Sequence, residues 1–221
     1  MSKERADDIR RWAGEHGLAY EPEVPDSMLH ERFYLFTLGE DRVVVTGSNL
    51  LTGSWDGMPV SAFDVVVPQM VGASGGGVGG YWLERDTITV AMVPVAADLP
   101  YTYVEKKGLL TRAADDLDRI DRLHHDHLEV TCGARGFDEH FEVKTTYREF
   151  AHELFDHPMM EALIESGTDY VYETEGSEFI VHSRHVGHRE LSSLLDAAKR
   201  FFDHLPATVL EKYAPGWRDD G

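Results

Sequence analysis

The stretch VVVTGSNLLTGSWDGMPVSAFDVVV, residues 43–67, constrains the fold more than any other. It holds a β-branched run, two Gly-containing turns and a second apolar run. Asp56-Gly57, between Trp55 and Met58, is a two-residue hairpin signal, because both central positions of such a turn need positive φ. Farther on, TITVAMVPV (87–95) is apolar almost without interruption and reads as a buried strand, and YTYVE (101–105) as a further short one. From about Phe33 to Glu105 the chain is therefore expected to be β.

Helical spacing brackets this region. Ile9, Trp12, Ala13 and His16 repeat at i, i+3, i+4, i+7 and predict a helix over 4–17, stopped by Gly17. A Pro-containing connector, YEPEVPDSMLHERF, follows. Residues 109–122 return to helix, with Leu110, Ala113, Leu117 and Ile120 on one face and Asp115, Asp116, Asp118 and Asp121 on the other. HLEVTC and HFEVKTT then read as strands around the turn GARGFDE.

Tyr147 to Phe155 reads as a short helix. A second restarts at Asp156-His157-Pro158, lined by Met159, Met160, Leu163 and Ile164 and ended by Gly167. DYVYET and EFIVHS predict a hairpin turning at Glu175-Gly176, with Tyr170, Tyr172, Phe179 and Val181 at period two. Leu191, Leu194, Leu195, Ala198, Phe201, Phe202 and Leu205 form a wide stripe over a final helix of about 188–204, ended by Pro206.

Strands and helices are segregated, and most strands pair through hairpins. The expected class is α+β: antiparallel sheet covered by amphipathic helices, including a long C-terminal one. The organisation is read as an N-terminal helix plus β-rich region (1–108), an α+β region (109–206) and a C-terminal tail (207–221), or as one continuous domain.

The pattern resembles a family of uncharacterised actinobacterial proteins known only as a domain of unknown function. The matching pieces are the Trp12 helix ending in Gly17; SNLLTGSWDGMPVSAFDV, with Gly53, Gly57 and Phe63-Asp64; GFDEHFEV; HPMMEALI; and LSSLLDAAKRFFDHLP. The resemblance covers almost the whole chain. It implies relatedness and supplies no activity, cofactor or catalytic residue. Some members carry membrane segments, which this chain lacks.

Charge narrows the partners. Forty acidic and 21 basic residues give −19, which opposes binding to phosphate backbones and anionic membranes. The acidity fits solubility, a salt-rich cytoplasm or GC-rich genome (six lysines against fifteen arginines), or a surface that meets a basic partner. Twelve histidines would carry the charge from −19 towards −7 on protonation. One cysteine excludes an intrachain disulfide and fits the cytoplasm. No run of about 18 apolar residues is present to span a membrane, and the N-terminus lacks the apolar core of a secretory signal.

The most chemical-looking stretch is LHHDHLEV (123–130). In a helix persisting through Asp126, His124 and His127 lie one turn apart, and Asp121 could orient the His124 ring. The competing role is structural, as cations at a helix C-terminus. His182, His185 and His188, with Glu190, form a second loose cluster, read as loop and capping histidines.

Gly75, Gly77 and Gly80 have dinucleotide spacing, but strand-like YWLERDTITVAMV follows where a helix is required, so a hairpin loop is expected. Cys132 reads as a small apolar residue, the Asp115–Asp121 carboxylates as a solvated helix face, and Met159-Met160 as core. Trp55, Tyr81 and Trp82 either form a recognition patch or cover a hairpin end.

The expectation is a soluble cytoplasmic protein without catalysis of its own and without a cofactor, binding a protein partner or a small ligand. The alternative is a metal-dependent hydrolase built on His124 and His127. A third class, an acidic nucleic-acid mimic, would bring along a basic partner that salt removes.

Overall fold

In the computed structural model, the described residues are 3–29, 33, 46–71, 82–107, 128–166, 170–184 and 186–217. They form an α+β fold: a seven-stranded antiparallel sheet carrying helices. The strands are β1 (Ala19–Glu23), β2 (Thr46–Trp55), β3 (Met58–Val71), β4 (Trp82–Lys106), β5 (Leu128–Glu129), β6 (Phe141–Thr145) and β7 (Val171–Arg184). The sheet order is β1-β2-β3-β4-β6-β5, with β7 paired to β4. The helices are α1 (Lys3–Glu15), α2 (Arg135–Asp138), α3 (Arg148–Leu154), α4 (His157–Ser166), α5 (Leu191–Asp203) and α6 (Ala207–Lys212). Strands from both sides of residue 108 share the one sheet, and α6 occupies the start of the expected tail.

The helices stop and start where their chemistry says. Gly17 takes φ 72°, and the Leu18 amide bonds to the Ala13 carbonyl at 2.9 Å, closing α1 with a Schellman-type bond. Asp156 accepts the Met159 amide at 3.0 Å and so caps α4. Pro206 ends α5 and precedes the first turn of α6.

Asp56 (φ 46°) and Gly57 (φ 82°) make the expected turn, with Trp55 opposite Met58. The other Gly-containing turn expected within 43–67 is absent: Gly47 and Gly53 lie inside β2. Their role is clearance. A Cβ on Gly47 would sit 2.6 Å from the Val24 Cβ, and one on Gly53 2.8 Å from Leu18. The connector also differs, because its start is edge strand β1, paired Ala19↔Thr52 through Glu23↔Ser48. Pro22 hides it in the sequence, yet an edge strand tolerates a proline.

Both faces of the central strands are buried. Ala62, Ala91, Val93, Tyr172, Phe179 and Val181 join a large core with α1, α4 and α5. Phe63, Val65, Val90, Met92 and Ile180, their alternating neighbours, join a second core with Val24 and Phe33. This double burial is why 87–95 reads as a continuous apolar run. Met159, Met160 and Leu163 pack inward as expected, whereas Ile164 is 44% exposed and Ala162 takes its place inside.

Residues 87–95 and 101–105 belong to one strand. From Pro94 to Thr102 β4 takes eight steps while its partner takes four, from Glu178 to Thr174. β4 therefore runs the longer, outer path of a corner. The chain reversal expected at Glu175-Gly176 is the inner side of that corner: β7 is continuous, Gly176 has φ 61°, and both arms pair with β4. GARGFDE forms the helical turn α2 instead of an open turn. Asp138 accepts the amides of Cys132 (2.8 Å) and Gly133 (2.9 Å), so β5 stops at Glu129.

Candidate functional site

The corner gathers the buried polar groups of the second face. Tyr101, Tyr103 and Glu105 alternate along β4 with residues of the main core. Glu173 lies opposite Tyr103 on β7, and Lys144 and Glu142 of β6 lie opposite Tyr103 and Glu105. His182 Nε2 donates to Glu173 Oε1 at 3.0 Å, and the Tyr101 hydroxyl donates to Glu173 Oε2 at 3.3 Å. Residues nine apart on a straight strand would be separated by about 30 Å. Their contact shows how sharply β7 folds at Gly176.

Glu173 is wholly buried, and Tyr101, Tyr103 and Glu105 are each at most 2% exposed. The Tyr103 hydroxyl donates to Glu105 Oε2 at 3.0 Å. Burial pushes the Glu105 carboxyl up from 4.5 to about 7 and outweighs Tyr103; Glu142 raises it further, while Lys144 and Arg184 lower it. Lys144 pairs with Glu142 at 3.4 Å. The arrangement orients a histidine ring by a carboxylate and holds a second carboxyl that changes charge near neutrality.

A second polar knot is structural. Asp64, 1% exposed, accepts two bonds from Arg5 (2.9 and 2.7 Å), one from Asn49 (2.8 Å) and one from Thr89 (2.8 Å). Tyr20 donates to Asn49 at 3.0 Å, and Asn49 itself has φ 57° at the β2 bulge. The knot ties α1 to the sheet.

The sequence candidates fare differently. His124, His127 and Asp121, with the acidic helix, lie outside the described residues, as do Gly75, Gly77, Gly80, Tyr81 and His185. His188 opens a 3-10 turn (His188–Glu190), and Glu190 accepts the Gly187 amide at 2.6 Å. His182 points instead to Glu173. Among the described residues no group of three His, Cys, Asp or Glu is placed to hold a metal ion.

Cys132 packs beside the main core. Burial, aided by Asp138, pushes its thiol up to about 12, far from the range of a nucleophile. Trp55 covers the hairpin end: its ring stacks on Trp12 at 5.8 Å and its Nε1 donates to Asp196 of α5 at 2.8 Å. The corner cluster escaped sequence reasoning. Its one signal is polar residues at period two inside apolar strands, Glu105 in YTYVE, Glu173 in DYVYET and His182 in EFIVHS.

The fold has a solved counterpart. The crystal structure of the mycobacterial trehalose monomycolate transport factor A superposes with a TM-score of 0.62 at 19% identity, over 93% of this chain and 98% of that one. At that identity the likeness is one of fold. Its mycobacterial source is consistent with the actinobacterial resemblance of the sequence. No protein-family model and no curated protein matches the chain.

Proposed function

We propose that this chain is a non-catalytic binding protein of the cytoplasm that acts through a protein partner, as an accessory factor to transport. The observation that carries the reading is the near full-length likeness of fold to a protein named as a transport factor. The main polar groups of the corner support it, because they engage one another: Glu173 is held by His182 and Tyr101, and Glu105 by Tyr103. No described helix is long and apolar enough to cross a membrane.

The test is affinity capture of the full chain from lysate of its source at low and high salt, read by mass spectrometry, with metal analysis of untagged protein alongside. The reading expects one protein recovered near 1:1 in every replicate and released as salt screens the acidic surface. It is overturned by recovery of no partner. One equivalent of bound zinc, lost in a His124→Ala, His127→Ala double variant, would favour the metal-dependent hydrolase instead.

A further inference from the structure

The corner sets Glu105 of β4 directly opposite Glu142 of β6. Like charges facing each other across an antiparallel pair repel. Here one of the two is 2% exposed, on a face where water screens little. The β4–β6 ladder is short, running only from Thr102↔Thr145 to Lys106↔Phe141, and β6 is also what holds two-residue β5 in the sheet. A repulsion placed in this ladder acts on the least anchored end of the sheet.

We propose that the Glu105–Glu142 pair is a proton-operated switch, closed when Glu105 carries a proton and loosening the β5–β6 end of the sheet when it does not. The described titratable and charged groups that share its face are Tyr103 and Tyr101 on β4, Glu142 and Lys144 on β6, and Glu173, His182 and Arg184 on β7. Tyr103 donates to the carboxyl in either state. Lys144 bonds Glu142 at 3.4 Å, so its charge is already shared with the opposing carboxylate when Glu105 ionises. His182 is held by Glu173 at 3.0 Å.

The direction follows from burial. The folded chain binds the Glu105 proton more tightly than the unfolded chain does. The stability this contributes is fully present below pH 4.5 and is lost as pH rises to about 7. The window runs from 4.5 to about 7, so its upper edge reaches the neutral range.

The experiment is thermal unfolding of the full chain and of Glu105→Gln from pH 5 to pH 8. The Tm of the native chain should fall relative to that of the variant by about 5 °C across the range, the shift expected for a chain of this size when a group titrates over some two units. Parallel curves would overturn the switch. A Glu105→Gln chain that does not fold is met by a second reading, isotope-edited infrared of ¹³C-glutamate protein. A protonated carboxyl band should persist at pH 6, fall to half near pH 7 and be gone well above it, and its midpoint should drop in Glu142→Gln, where the facing charge is gone. No such band at pH 6, or a midpoint indifferent to Glu142, would count against the proposal.

Discussion

At the scale of single residues, some of the buried anchors are polar groups that the apolar pattern conceals. Asp64 is the clearest, one buried carboxylate accepting from Arg5, Asn49 and Thr89. Asp64→Ala strips the shared acceptor from all three and is expected to cost about 3 kcal/mol in denaturant unfolding. Asp203→Ala, which removes an exposed pair with Lys199, should stay within about 0.5 kcal/mol of the native chain. Equal costs would mean that the knot does not anchor α1. Cys132 makes a second case. With its thiol pushed up to about 12, alkylation at pH 8 should run far slower than that of free cysteine, and accelerate to the free rate in denaturant. Rapid modification of the native chain would contradict the burial assigned to it.

At the scale of elements, most of the architecture was legible because periodicity and turn chemistry agree. The α5 stripe predicts its buried face almost residue for residue, since Leu191, Leu194, Leu195, Ala198 and Phe201 all turn inward. Phe201 stacks on Tyr172 at 5.3 Å and lies 4.9 Å from Phe179, joining the helix to both arms of β7. Phe201→Ala should cost about 3–5 kcal/mol, read as the change in unfolding midpoint; a cost under about 1 kcal/mol would show that α5 is not seated on the corner. What escaped the sequence did so for physical reasons. Pro22 argues against a strand unless the strand is known to be an edge. Gly176 signals a reversal equally well for a tight turn and for a corner inside a longer strand. The Glu173–His182 contact depends on that corner, so no local pattern announces it.

At the scale of the molecule, a seven-stranded sheet whose central strands are buried on both faces holds one helix-covered core and a second core that carries the polar corner. The same arrangement of fold occurs in a transport factor. The acidity that argued against nucleic acid is a property of the chain as a whole, a formal charge of −19. The central claim is that this chain works by engaging a partner. Size-exclusion of a gently prepared native lysate, with the chain followed by antibody and compared with the purified 24.9 kDa protein on the same column, tests it most directly. The account predicts that the chain in lysate elutes earlier than the purified protein and returns to its position at high salt. Coincident elution at low salt would contradict it.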